Sequence, residues 1–365
     1  MPPAGLRFTA GCAWDVVCAY GLVRPFRFEV ISMKAAALIA LTCLALTACG
    51  GDDNSSSAAS SGGTGTSNNG GTGGGDSGGT GGAGGSTLTL RYDAQVPAAD
   101  GPGFLTLLNN EGAKGFRYLG DYYYDATNGG GTRSIFVNDG TAQTYTYQLQ
   151  SPPADWPGFL SQANGQGASG YRYEGPYSYG YLYRKDSGSS ATYTYATAGL
   201  PADASAFLTQ ANAQGQSGYW FVSPMSVGSV QANVYMKNNA SNATYTYDAQ
   251  APATNINDFI AQANSEGTKG YRAKGEQAFG STMSWIYVKD QTQSSTFTYQ
   301  SAVTQSSGAS FVQQANDFGA QGNAYLGDLG FRNPPTASMQ QAPFYFKAAN
   351  CTGFLCTTLN PLTQN

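Results

Sequence analysis

Twenty-two Asp and Glu, eighteen Lys and Arg, twenty-five Tyr and no His bound the chemistry open to these 365 residues. Two carboxylates held at a fixed separation hydrolyse glycosidic bonds. Here Asp and Glu fall at helix starts, in loops and at helix ends, and no spacing fixes one pair. Without imidazole there is no Ser-His or Cys-His nucleophile, no HExxH zinc site and no His-ligated metal. No Walker loop or GxSxG elbow occurs either, and the GxG matches lie in a glycine-rich segment. The expectation is a chain with no catalytic residue, no metal and no cofactor, which leaves recognition. Tyrosine suits polar partner surfaces and sugar stacking, although most of these rings are expected in the core. The candidate binding residues are Tyr122, Tyr123, Tyr124, Tyr177, Tyr179 and Tyr181, expected in loops, with Arg117, Arg172 and Arg272 nearby in strands.

The elements that position them recur five times. Thr-aromatic-Thr-Tyr opens units at Thr144, Thr192, Thr244 and Thr296, and Thr89-Leu90-Arg91-Tyr92 opens the first. Each opening alternates with period two and predicts a strand. Asp100, Asp155, Asp203, Asn255 and Ser307 are N-cap types four residues before Phe104, Phe159, Phe207, Phe259 and Phe311, which lead an apolar helical stripe. Pro102 and Pro157 fall in the first turn. Gly112, Gly167, Gly215, Gly267 and Gly319 are read as left-handed helix stops. Gly115, Gly170, Gly218, Gly270 and Gly322 then turn the chain into a second strand. A third carries Tyr183-Arg184-Lys185 and its equivalents.

The fold class is therefore α+β: five tandem βαββ repeats of about 50 residues, at 87–143, 144–191, 192–243, 244–295 and 296–365, the last with a capping tail. One such unit buries too little apolar surface to be secure alone, so neighbours should share sheet edges or pack helix on helix. A linear array is the first expectation and a closed pseudo-five-fold ring the second. The recurring Asn109, Asn164, Asn212, Asn264 and Asn316 is read as satisfying backbone groups of the turn that follows it. In the last unit Asn323-Ala324-Tyr325 replaces Gly-aromatic-Arg, and Cys351 and Cys356 are expected to form a local disulfide.

Ahead of the repeats, residues 1–32 read as an over-extended start, and Lys34 with the apolar run Ala35 to Leu46 reads as a signal peptide over 33–48. That run closes on Leu46-Thr47-Ala48-Cys49, which resembles the lipobox of bacterial lipoproteins. The resemblance implies that Cys49 is lipidated, with palmitate-type acyl chains, and becomes the first residue. Residues 49–86 are then the lipidated cysteine and a Gly/Ser-rich tether, whose 37 residues from Gly50 span about 35 Å as a flexible coil. Within it, Gly75-Asp76-Ser77-Gly78-Gly79 has the letters around the nucleophile of trypsin-like proteases. The match is compositional, because the chain has no histidine to take the hydroxyl proton.

The net charge of −4 argues against nucleic acid, which rewards clustered Lys and Arg. Removal of 1–48 makes it −6, with 14 basic and 20 acidic side chains left. The repeats look like small bacterial βαββ domains of unassigned function that read Leu-Asn-x-x-Gly-x-x-Gly-Trp; here the third copy reads Ala211-Asn212-x-x-Gly215-x-x-Gly218-Tyr219. This likeness implies the fold and no activity. Gly50 after Cys49, by resemblance to lipoproteins of enteric bacteria, implies the outer membrane, with the protein facing the periplasm or the cell exterior. The expected function is a non-catalytic, lipid-anchored binding module for a glycan or an envelope protein. The alternatives are an assembly component of an envelope complex and, behind it, a carboxylate-dependent hydrolase.

Overall fold

The computed structural model describes residues 89–124, 130–331, 338–352 and 355–356; Cys49, the signal segment and the tether lie outside the described residues. The first repeat contains β1 (Arg91–Gln95), α1 (Gly101–Ala113), β2 (Arg117–Tyr124) and β3 (Gly131–Asn138). The second contains β4 (Tyr145–Gln150), α2 (Trp156–Ala168), β5 (Arg172–Tyr177) and β6 (Gly180–Asp186). In the third are β7 (Tyr193–Gly199), α3 (Ala204–Gln216), β8 (Tyr219–Val227) and β9 (Val230–Asn238). The fourth has β10 (Tyr245–Gln250), α4 (Ile256–Thr268), β11 (Arg272–Phe279) and β12 (Thr282–Asp290). The fifth has β13 (Thr296–Ser301), α5 (Gly308–Ala320), β14 (Ala324–Phe331) and β15 (Gln340–Ala349). This is the α+β architecture of five βαββ units.

Each unit forms its own three-stranded antiparallel sheet, with the third strand in the middle and the opening strand at an edge. The opening strands alternate as their sequence requires: in β4, Tyr145 and Tyr147 are buried while Thr146 is exposed. All five helices start at the expected caps, whose side chains accept the N–H three residues on at 2.7 to 3.1 Å. The leading phenylalanines pack on the sheet of their own repeat, with Phe104 5.3 Å from Tyr118, Phe159 5.4 Å from Tyr173 and Phe207 4.9 Å from Phe221.

The helix ends differ from the sequence reading. Gly112, Gly167, Gly215, Gly267 and Gly319 lie within the helices, and the left-handed turn comes three residues later, with φ between +80° and +91° at Gly115, Gly170, Gly218, Gly270 and Gly322. The first glycine of each pair serves a close approach instead. A Cβ there would run into the carbonyl oxygen of Tyr145, Tyr193, Tyr245, Phe297 or Leu90, each on the opening segment of the next repeat.

That approach defines how the repeats join. Each helix lies along the edge strand of the following repeat, α1 on β4, α2 on β7, α3 on β10 and α4 on β13, and α5 lies on β1. The five units therefore close into a ring, the second of the two expected packings, joined neither by shared sheet edges nor by helix pairs. The repeated asparagine is the clasp. Asn212 Oδ1 accepts the Tyr247 N–H at 2.7 Å and its amide donates to the Tyr247 carbonyl at 3.5 Å. Its expected role in its own turn is thus replaced by one at the next repeat, where it meets an edge strand's open backbone groups. Asn109, Asn164, Asn264 and Asn316 do the same for Tyr147, Tyr195, Tyr299 and Tyr92. A ring leaves no open end for the last repeat to cap.

Opening-strand tyrosines bind the junctions from the other side. Every second strand carries a β-bulge after its second residue or, in β8, its third. The backbone N–H just before the bulge donates to a tyrosine hydroxyl of the next repeat, as Tyr173 N–H does to Tyr195 at 2.6 Å. At the seam, Tyr325 N–H donates to Tyr92 at 2.7 Å.

Candidate functional site

The six candidate tyrosines do not form one face. Tyr122 to Tyr124 belong to β2 rather than to a loop, and Tyr122 and Tyr124 lie 6.2 and 6.0 Å from Phe311 of the last helix. Tyr177 and Tyr179 lie 6.0 and 5.4 Å from Phe104 of α1, and the Tyr179 hydroxyl donates to the Ala98 carbonyl. Tyr181 is buried within its own repeat, 6.1 Å from Phe159. Tyr122, Tyr124, Tyr177 and Tyr179 thus reach back onto the helix of the preceding repeat and join neighbouring units. Only Tyr123 and Tyr179 are more than a third exposed, at 37% and 42%.

Charges are buried on the sheet faces turned away from the helices. Pairing register places five residues at one inward position of the second strands: Arg117, Arg172, Trp220, Arg272 and Ala324. Opposite them on the third strands stand Val137, Arg184, Met236, Val288 and Phe346. The bulge residue is Leu119, Glu174, Val222, Lys274 or Leu326.

Repeats one and two carry an ionic cluster. Glu174 Oε1 lies 3.1 Å from Arg172 Nε and 3.5 Å from Arg184 Nη1, while Arg184 Nε lies 2.9 Å from Asp186 Oδ1. Arg117 Nη2 is 3.7 Å from Asp139 Oδ2. The Arg117 and Arg184 guanidinium carbons also stand 5.8 and 5.0 Å from the centre of the Tyr145 ring.

This cluster opens into a cavity of about 640 Å³ whose wall includes Arg117, Arg172, Arg184, Asp139, Asp186, Tyr145 and Tyr193, with Gln143, Thr141, Ser189 and Asn238. It thus brings together Arg117 and Arg172 of the candidate set. Arg272 does not line it; its guanidinium lies 4.4 Å from the Phe346 ring, and burial lowers its pKa to about 10. A smaller cavity of about 290 Å³, lined by Tyr245, Asp290, Gln293 and Thr352, is bounded by Leu355 of the tail. There Cys351 and Cys356 are joined, Leu355 is buried, and Thr352 N–H donates to Gln293 at 2.6 Å.

Electrostatics favour the charged forms of Asp186 and Arg184 in the larger cavity. Burial alone would raise the Asp186 carboxyl, but Arg184, Arg172 and Arg117 outweigh it and hold the pKa below the usual value. Burial likewise opposes charge on Arg184, yet Asp186 and Glu174 keep its pKa well above the ordinary one. A carboxylate held ionised among guanidiniums is a poor general acid. What the wall offers is fixed donors beside fixed acceptors, the chemistry of binding. Among the described residues no group of three or more His, Cys, Asp or Glu is placed to hold a metal ion.

Arg184, Glu174, Asp139 and Asp186 were not singled out from the sequence, although a signal for the first two exists. When the copies are aligned, Arg184 stands where the others have Val, Met, Val and Phe, and Glu174 where three of the others have Leu, Val and Leu. A charge at a position its siblings keep apolar marks a departure from packing.

Residues 201–348 match a protein-family model described as PT dipeptide repeat lipoprotein. The match supports a lipoprotein with repeats, and with it a membrane-anchored, envelope-associated protein, and it is in keeping with a non-catalytic one. No curated protein and no solved structure matches the chain. Among the described residues no helix is long and apolar enough to cross a membrane.

Proposed function

We propose that this chain is a non-catalytic binding module tethered through Cys49 to the bacterial outer membrane, and that the cavity on repeats one to three takes a saccharide unit of an envelope glycan. One observation carries the reading: a cavity of about 640 Å³ on repeats one to three has Arg–carboxylate pairs and two tyrosines in its wall. Sugars present hydroxyls that donate and accept, and planar guanidinium and carboxylate groups held by their neighbours answer both. Ligand sites favour such concavities with a few convergent polar groups.

The test is a glycan array probed with the full chain, wild type and Ser189→Trp, in mild detergent. Ser189 is exposed at the cavity wall, so the indole should block entry without disturbing the core. Retention of a glycan by the wild type and its loss in the variant support the reading. A stable stoichiometric protein partner with no glycan retained would favour the assembly role instead.

A further inference from the structure

Among the described residues, the large apolar side chains that stand more than a third exposed share one end of the ring. Val96, Leu200 and Val303 follow the opening strands, with Val96 and Val303 73% and 77% exposed. Register sets those strand ends beside the hairpins of the second and third strands: Gly199 pairs with Ala232, next to the turn closed by Val227 and Val230. Tyr123, Tyr179, Val230 and Met339 stand at these hairpins. Neighbouring repeats keep the same sense, because each hairpin meets the helix start of the repeat before it, or the loop leading into that helix. The Tyr179 hydroxyl donates to the Ala98 carbonyl and the Trp156 indole to the Val230 carbonyl at 3.2 Å, while Phe279, Phe331 and Tyr124 lie 5.4 to 6.0 Å from Phe207, Phe259 and Phe311. Scattered apolar side chains need no explanation, whereas a set gathered on one side marks a contact.

Charge is divided the same way. Among the described residues every lysine except the buried Lys274 lies toward the other end, just past a helix (Lys114, Lys269) or late in a third strand (Lys185, Lys237, Lys289, Lys347). The hairpin end has the cation Arg133 and four carboxylates: the helix caps Asp100, Asp155 and Asp203, and Asp258 in a first helical turn. The positive end of a helix offsets a carboxylate there, and a surface without lysine does not draw anionic headgroups. Protruding Val, Leu, Met and Tyr side chains spread around a ring need no shape match on a fluid lipid surface, whose interface suits Tyr and Trp. Resting on the membrane anchor at Cys49, we propose that the hairpin end lies on a zwitterionic bilayer surface, with Val96, Val230 and Val303 at the boundary of headgroups and acyl chains. Thr89, where the ring begins, is at the lysine end. The 37 residues from Gly50 to Ser86 reach up to about 3.4 Å each when extended, enough to pass strands of at most ten residues. The cavity lined by Tyr145 and Tyr193, which begin their strands, is also toward the lysine end and stays open to its ligand.

The experiment reads tryptophan fluorescence of the lipidated chain in phosphatidylcholine vesicles with plain or brominated acyl chains. Trp156 is half-buried beside Val230, whereas Trp220 and Trp285 are 1% and 3% exposed, so quenching by bromine reports on the hairpin end. Expected is quenching in brominated vesicles that is lost in Trp156→Phe. In the full chain carrying Cys49→Ser, which has no acyl anchor, adding Val96→Ser and Val303→Ser should weaken vesicle partitioning by about tenfold or more. Both valines are exposed, so the substitutions leave the core intact. A chain that floats with the vesicles but emits equally in plain and brominated lipid overturns the proposal and leaves the anchor standing. Partitioning unchanged by the two serines overturns it as well. Unquenched protein that sediments at twice its mass would instead place a second copy on these tips. A lipidated chain that does not float overturns the anchor and the proposal together.

Discussion

Asn316 Oδ1 accepts the backbone N–H of Tyr92 at 2.6 Å, and its amide donates to the Tyr92 carbonyl at 3.3 Å, so one side chain sews the last repeat to the first. The pair substitutes for a missing strand at the edge of β1. Beside it, the Leu90 N–H donates to the Gly319 carbonyl at 3.1 Å and the Tyr92 hydroxyl accepts from Tyr325. Asn316→Ala removes both bonds and leaves half-covered backbone groups unmet, for an expected loss of about 1–3 kcal/mol by denaturant unfolding. Asn212→Ala should cost a similar amount at an internal junction. Only the Asn316 change should speed amide exchange across Leu90–Gln95 ahead of global unfolding. Unchanged exchange in that strand would show that the seam does not depend on the clasp.

Two helix glycines make opposite predictions. Gly215 lies against the Tyr245 carbonyl, with no room for a Cβ, so Gly215→Ala must push α3 away from β10. Gly165, within α2, has nothing within 4 Å of an added Cβ. Gly165→Ala should therefore stabilise by about 0.5–1 kcal/mol through helix propensity. Gly215→Ala should destabilise by more than that, or prevent folding. Equal effects of the two substitutions on the unfolding midpoint would remove close approach as the reason for the repeated glycine.

Local chemistry made much of this fold legible. An N-cap, a period-two strand and a βαββ order all depend on residues within one unit, and each appears where the pattern places it. The glycine and asparagine signals were just as regular, but their partners lie in the next repeat: Asn164 meets Tyr195, and Gly167 meets the Tyr193 carbonyl. A side chain that can satisfy its own turn looks the same in sequence as one that reaches a neighbour. Closure was ambiguous for a related reason, since nothing in Leu90 or Gly319 distinguishes a seam from a free end. The candidate site was legible in part. Arg117 and Arg172 were in hand, whereas Arg184 and Glu174 emerge only when five copies are laid on one register.

The disulfide makes a limited contribution that can be measured directly. Cys351 and Cys356 close a loop with a sequence separation of 5, for which loop-closure entropy gives about 2 kcal/mol. Cys351→Ser combined with Cys356→Ser should lower stability by no more than that amount. The buried Leu355 should become accessible to protease before the ring opens. Loss of folding in the double variant would mean that the tail holds the ring shut, a larger role than its contacts indicate.

Lys274 should give the ring an unusual pH response. Lys274 is 5% exposed, and its Nζ donates to the Val222 carbonyl at 2.8 Å and lies 5.4 Å from the centre of the Trp220 ring. Burial first, and the neighbouring Arg272 second, push its pKa well below the usual lysine value. The unfolded chain, with an ordinary lysine, binds the proton more tightly, so between the folded and unfolded pKa values folding releases it. Stability therefore rises with pH across that window, by at most about 1.4 kcal/mol per pH unit for one proton, and falls as pH drops toward the folded value. Above about pH 10 the buried tyrosines oppose the trend. Burial raises Tyr195 and Tyr247 well above their usual pKa, so the unfolded chain ionises first and gains. The clean interval is pH 7 to 9.5, where urea unfolding of the wild type should show a rising midpoint. Lys274→Met should be more stable at pH 7 and show a flatter profile. If both proteins trace parallel curves over that interval, Lys274 is not the group that titrates.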